Sequence, residues 1–405
     1  MKTLVREREI PYIDSHTAEF LENPNSVIGS GAERLRMANG RSGTEFFSYE
    51  TVRGIFRDSR ITPRTPQLFL DKGLSNGPIM DYLIYGNLNL TWPEIHDRLR
   101  PILVKGFNPR RIERAREHMR QLATKLVDEL ADRVSCNIVT EFSHHLSIGV
   151  ISHFIGIPPE DVPEFDQATV ELRLLGQEPF WPGVPRLEQA LRTVRDYSEE
   201  IVARRRRDPQ EDYISDLIRE QAAGDRISVE ELVWNIAGIL LAGHDTTRYQ
   251  LASCVRAVAQ AGQWDTLAER PELVPTAIVE AMRMYPATPR QVKIVNTPLT
   301  IEGAAFEAGE VVTLNVTAAG RDPEAFPNPD RLDLHREEPP FDVGFGYGPH
   351  YCLGFGVAQA EMEEALWLLT RRWRDVEADD PAEIKAGGVI AGPEVIQVRN
   401  RTTSA

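Results

Sequence analysis

One cysteine stands in a setting that suits a metal ligand. The run Phe345-Gly346-Tyr347-Gly348-Pro349-His350-Tyr351-Cys352-Leu353-Gly354 places glycines on both sides of Cys352. They free the backbone to turn closely around the sulfur and to aim N–H groups at it. A helical pattern follows at 357–372, so the cysteine falls at or just before a helix N-terminus, where a thiol pKa is lowered and thiolate is favoured. Two other readings compete. A free cysteine is often a buried small hydrophobe, and His350 could activate a nucleophilic thiol, although a two-residue offset commonly points side chains apart. Zinc is disfavoured, because no Cys-x-x-Cys or His-x-x-x-His spacing occurs.

A second cluster, Gly243-His244-Asp245-Thr246, lies inside a long apolar stretch. Ser228-Val229-Glu230-Glu231 is a capping-box signature and predicts a helix running to about residue 259, roughly 48 Å long. Its middle is almost free of charge, so the helix is buried and a polar centre needs a reason. Gly243 would leave space beside the helix for a diatomic ligand. Thr246 can bond a carbonyl one turn back or a bound oxygen species, and Asp245 can relay protons from solvent. The alternative is a hydroxyl-stabilised kink with a surface Asp–His pair. His96 and Arg100, four apart, share a helix face suited to one carboxylate; standing alone they would read as a solvated basic face. Glu280 and Arg283, three apart, can pair on a helix that ends at Pro286.

The elements that must position these residues are mostly helical. Residues 110–130 form an amphipathic pattern with Ile112, Met119, Leu122, Leu126 and Leu130 inward. Residues 187–207 form another, ending in four arginines that read as a solvated helix end. Strand-like pieces are short: 299–301, 311–316 and 395–398. The expected class is mainly α with small β portions, in one domain spanning 1–405 with 1–22 and 399–405 as peripheral termini. The 405 residues are 41% hydrophobic, enough for a large core. Lys+Arg 46 against Asp+Glu 61 gives a net charge of -15, which argues against a sequence-independent nucleic-acid grip. Cys136, Cys254 and Cys352 form no disulfide framework and fit a reducing compartment. No signal-peptide core and no long apolar run occurs, so the expectation is a soluble cytoplasmic protein with no membrane span.

Phe345-x-x-Gly348-x-x-x-Cys352-x-Gly354 resembles the haem-binding signature of the cytochrome P-450 family. Three further motifs stand in order: His96-x-x-x-Arg100, Ala242-Gly243-His244-Asp245-Thr246-Thr247 and Glu280-x-x-Arg283. The resemblance implies the family fold, with the long central helix over haem b (iron protoporphyrin IX) and Cys352 as the axial ligand to iron. Phe345, Gly346 and Gly243 would lie against the cofactor. His96, Arg100 and His350 would contact a propionate, and Asp245 and Thr246 would serve oxygen activation. Glu280 and Arg283 would hold the fold together with Arg331. Lys293 stands where bacterial members often carry a propionate-binding arginine. Arg290, a turn earlier, would substitute for it or face an acidic substrate group.

Substrate contacts are expected from 65–89, 170–185, 236–246, 287–293 and 389–390, with Ile239, Ala242, Arg290, Val292 and Ile390 named. Leu68, Phe69, Leu70, Ile79, Met80 and Tyr82 make an apolar ligand plausible. Cysteinate ligation favours O–O cleavage. The implied activity is monooxygenation of a small organic substrate, using O2 and electrons from a ferredoxin or flavodoxin with its reductase. Arg100, Lys105, Arg110, Arg111 and Arg114 are the expected docking patch for that donor. The alternative is a haem-thiolate protein of the same fold used for non-oxygenating chemistry or ligand binding.

Overall fold

The structure, a computed structural model, describes residues 10–400 apart from 64–65, 131–132, 177–178, 225, 337–342, 381–383 and 386–389. Its axis is the helix Val229–Gln260, which opens on the expected capping box: Ser228 Oγ accepts from Glu231 N, and the Glu231 carboxylate accepts from Ser228 N. Helices His144–Ile155, Val184–Arg207, Val274–Met284 and Phe355–Arg372 pack around it. Their apolar faces, with those of Pro109–Leu130, form one main core; a smaller one gathers Phe20, Ile28, Ala38, Phe47 and Ala318.

Two features lock the frame around the site. Arg116 and Arg120 of Pro109–Leu130 reach Glu363 and Glu364 on the Phe355–Arg372 helix at 2.7–3.1 Å. These forked contacts hold the helix that follows Cys352 in register. On the other side, the one-turn segment Tyr82–Gly86 lies directly on the central helix. A Cβ on Gly238 would stand 1.9 Å from the Gly86 carbonyl oxygen, so two glycines allow this approach. Asn235 Nδ2 pins it by donating to Tyr85 O at 2.8 Å.

A five-stranded sheet lies at one edge, in the order Met37–Gly40, Gly43–Phe46, Val311–Asn315, Arg290–Val295, Ile61–Pro63. Arg290–Val295 runs antiparallel to both neighbours, with Lys293 opposite Val312 and Pro63. The sequence reading treats this segment as substrate-contacting chain and misses the strand. Its Arg-Gln-Val-Lys start carries no alternation, and only pairing on both sides makes it a strand. The arginine run is also corrected. Arg204 pairs with Asp161 and Arg205 with Asp212, each at 2.5 Å, Arg205 also donates to Gly156 O, and Arg206 donates to Gln221 Oε1 at 3.1 Å; three of the four arginines are tied to neighbouring elements.

Candidate active site

Cys352 is held in a loop closed by its own N–H, which donates to Phe345 O at 3.0 Å. Gly346 and Gly348 take φ of 74° and 71°, a region that side-chain-bearing residues avoid. The Phe345 ring meets Tyr351 and Phe355 edge-on, at 6.4 and 5.7 Å between centroids. The helix starts at Phe355, three residues beyond the cysteine. Its approach does not lower the thiol pKa as expected: burial pushes Cys352 up, opposed by the Gly354 N–H and by the Arg100 charge. A metal taking this sulfur must therefore displace its proton. No hydrogen bond joins His350 to Cys352, and the His350 ring instead lies 4.0 Å from that of His96.

That pair belongs to a cradle drawn from three elements. His96 and Arg100 come from the helix Pro93–Leu103, Lys293 from the strand Arg290–Val295 and His350 from the turn Gly348–His350. Arg100 donates to Tyr351 O at 2.6 Å, beside the cysteine. Lys293 is buried, stands 5.4 Å over the Phe56 ring and is pushed down to about 8 by burial. His350 falls to about 3, through burial and then the charges of His96, Lys293 and Arg100. His96 Nε2 and His350 Nδ1 are buried with no hydrogen-bond partner. The carboxylate at hand, Asp97, is exposed and occupied with His96 Nδ1 at 2.9 Å. Such a surplus of buried cationic and donor groups calls for an anion that the chain does not supply.

On the central helix, Ile239, Ala242, Gly243 and Thr246 form the accessible stripe of a segment otherwise buried from Leu232 to Val258. Thr246 Oγ1 donates to Ala242 O at 2.8 Å. A Cβ on Gly243 would stand 2.6 Å from Ile151 Cγ1, so its bareness serves contact with the helix His144–Ile155. His244 and Asp245 are not a surface pair; both are fully buried. Asp245 Oδ1 lies 2.9 Å from Arg248 Nη2, yet neither carboxylate oxygen has a well-aligned hydrogen bond. Burial raises the Asp245 pKa against the pull of Arg248, and burial holds His244 well below its ordinary value.

Other expected residues are placed differently. Arg283 donates to Glu280 at 2.7 and 3.0 Å and to the carbonyls of Gly320, Pro329 and Arg331. The side chain completing this cluster is Arg336, whose Nε donates to Glu280 at 2.8 Å; Arg331 offers only its carbonyl and is exposed. Gly320 is bare because a Cβ would stand 2.1 Å from Arg283 O. Arg290 does not face a ligand: it is buried, donates to Ser15 O at 2.7 Å and feels the Glu45 charge. Strand alternation puts Val292 on the face of Arg290, opposite Lys293. Ile239 and Ile390 are half-buried against the core, while 65 and 389 lie outside the described residues. Phe69, Ile79, Met80 and Tyr82 are buried, and Leu68 and Leu70 half-buried. In the basic group, Lys105 is paired with Glu220 and Arg111 with Asp216. Arg110 and Arg114 are exposed and have no ion-pair partner among the described residues.

Among the described residues, no group of three or more His, Cys, Asp or Glu side chains could hold a metal ion. A lone cysteine beside an anion-seeking cradle fits iron carried in a porphyrin with propionates. A family model described as cytochrome P450 matches residues 253–398. The mycinamicin IV hydroxylase/epoxidase of Micromonospora griseorubida is 31% identical over 352 residues, 84% of each chain. A polyketide biosynthesis cytochrome P450 of Bacillus subtilis, PksS, is 29% identical over 95% of this chain and 97% of its own. Its solved structure superposes with a TM-score of 0.82 at 28% identity, covering 95% of this chain and 98% of that one. The structure of P450BioI in complex with an acyl carrier protein ligated by hexadec-9Z-enoic acid gives 0.84 at 26% identity, covering 95% and 100%.

The chain belongs to the cytochrome P450 family. It is a haem-thiolate monooxygenase, an oxidoreductase with haem b as cofactor that uses O2, a small organic substrate and a redox partner. No helix among the described residues is long and apolar enough to cross a membrane.

Proposed function

We propose that this enzyme oxidises a largely apolar natural product of the polyketide kind, within the single domain 1–405. Cys352 would hold the haem iron through its thiolate, whose negative charge the Gly354 N–H and Arg100 favour. When bound, the haem supplies reductive activation of O2 and transfer of one oxygen atom to carbon. His96, Arg100, His350 and Lys293 bind its propionates, and Phe345 and Gly346 shape the wall beside the sulfur. Lys293 takes the place of the more common arginine as a point charge rather than a fork. Ile239 and Ala242, with Ile390, border the substrate; their apolar faces exclude water. Thr246 holds its hydroxyl toward the accessible side of the helix, and Asp245 holds or releases the proton that Thr246 passes on.

Electrons come from a ferredoxin or flavodoxin with its reductase, docking where Arg110 and Arg114 have no ion-pair partner among the described residues. The enzyme works in the cytoplasm. The substrate class is supported by the relatives named for mycinamicin IV and for polyketide biosynthesis. The assignment of the site rests on one observation: the unsatisfied His96 Nε2 and His350 Nδ1 beside Arg100, Lys293 and Cys352. The test is the carbon monoxide difference spectrum of the reduced, purified protein. A thiolate-type band that Cys352→Ala abolishes is expected; a folded, pigmented Cys352→Ala protein with an unchanged band overturns the assignment. Mycinamicin IV, titrated into the ferric protein, probes the substrate class through the low-spin to high-spin shift.

A further inference from the structure

Behind Asp245, on the buried face of the central helix that packs against His144–Ile155, lies a chain of polar groups. Asp166 Oδ1 is 2.9 Å from His144 Nε2, and its carboxylate is one-fifth exposed. His144 Nδ1 is 3.0 Å from His244 Nε2, and His244 Nδ1 is 2.9 Å from Thr169 Oγ1. Beyond this chain, Asp245 Oδ1 is 3.8 Å from His244 Nδ1. Arg248 spans the two arms, 2.9 Å from Asp245 and 3.4 Å from His144 Nδ1. His145 stands edge-on to His144, and Arg173, paired with Glu394 at 2.7 Å, lies near Asp245.

The hydrogens of this chain can be assigned from its bonds. Thr169 donates to Asp166 O at 2.7 Å, so toward His244 its oxygen accepts and His244 Nδ1 carries a hydrogen. His244 Nε2 is then an acceptor, and the hydrogen between the rings belongs to His144 Nδ1. His144 Nε2 needs a second hydrogen to face the Asp166 carboxylate. A hydrogen on each His144 nitrogen serves the contacts to His244 and Asp166, whereas Arg248 Nη1, itself a donor, is then left 3.4 Å from His144 Nδ1 without an acceptor. Charge leads to the same count: Asp166, Asp245 and Arg248 sum to -1, and one further proton makes the buried cluster neutral. That proton can rest on the histidine pair or on Asp245, and both placements are neutral.

We propose that Asp166, His144 and His244 form a proton relay that recharges Asp245 from solvent. This rests on the assignment of Asp245 and Thr246 to proton delivery. A proton arrives at Asp166, crosses the two imidazoles and reaches Asp245 across the 3.8 Å gap, which one water or a small side-chain rotation closes. The relay residues touch neither substrate nor cofactor; they act through Asp245.

The test is oxygen uptake by the holoenzyme, driven by NADPH through a saturating surrogate ferredoxin and its reductase, in H2O and in D2O with no organic substrate added. His144→Gln keeps a hydrogen-bonding side chain but carries no proton, and Asp166→Asn keeps the shape but not the base. Each is expected to slow uptake at least about fivefold and to raise the solvent isotope effect, while the carbon monoxide band stays thiolate-type. Because the groups act in series, the double variant should be no slower than either single one. Wild-type rates and isotope effects in Asp166→Asn, or strictly multiplicative losses in the double variant, overturn the relay. Asp166 is partly exposed, so its variant decides the matter even if His144→Gln does not fold. A wild-type protein without the thiolate band would instead remove the functional reading itself.

Discussion

Glu280 is the residue whose removal should cost the fold most without touching the chemistry. Its two oxygens take Arg283 at 2.7 and 3.0 Å, Arg336 at 2.8 Å and the Asp333 N–H at 2.9 Å, all in a site closed to solvent. Glu280→Gln preserves shape but leaves two buried guanidinium groups without their anion. Breaking a buried pair in this way costs about 3–5 kcal/mol. Arg336→Ala removes the hydrogen bond to Glu280 together with weaker, exposed ones to Pro327 O and Arg331 O, and should cost about 1.5–3 kcal/mol. Arg331→Ala removes an exposed side chain whose carbonyl does the bonding, and should stay within about 0.5 kcal/mol. Guanidinium unfolding of the holoenzyme, followed by loss of the Soret band, ranks the three. Oxygen uptake per mole of bound haem is expected to be unchanged in all of them. A Glu280→Gln protein as stable as wild type, or an Arg331→Ala protein less stable than Arg336→Ala, would refute this reasoning.

Two further outcomes follow from buried groups. Glu361 is enclosed with Ser147 Oγ at 2.6 Å, and burial pushes its carboxyl up to about 8 from an ordinary 4.5. The folded state therefore favours the protonated form: the stabilisation is fully present below about pH 4.5 and is lost as pH rises toward 8, by on the order of 3–5 kcal/mol. Glu361→Gln should flatten the dependence of the unfolding midpoint on pH between 5 and 8, and an unchanged slope would contradict it. Gly238→Ala would push a methyl against the Gly86 carbonyl; it should destabilise by about 1–3 kcal/mol, and a wild-type unfolding midpoint would show that the two segments do not meet.

Most of the helical frame was legible in the sequence, because amphipathic period and caps are local properties. The expected 110–130, 187–207 and 357–372 correspond to Pro109–Leu130, Val184–Arg207 and Phe355–Arg372. The capping box at Ser228 sets the start of the central helix for the same reason. The cysteine loop, too, could be read from its glycines, since left-handed φ at 346 and 348 is a demand on residue type.

What spacing could not decide is which side chain answers which. Arg331 and Arg336 are both arginines near the same turn, and only the path of the chain brings Arg336 to Glu280. Arg290 and Lys293 are separated by strand alternation, invisible until the strand is paired. The bareness of Gly243 also admits Ile151, a residue 92 positions earlier, a contact that spacing along the helix does not reveal. His144 gave no sequence signal at all; it joins His244 because two helices cross there, 100 residues apart in the chain. Local chemistry is written in neighbouring residues, whereas buried charge is balanced by whichever distant groups the packing delivers, and that balance exists only in the folded molecule.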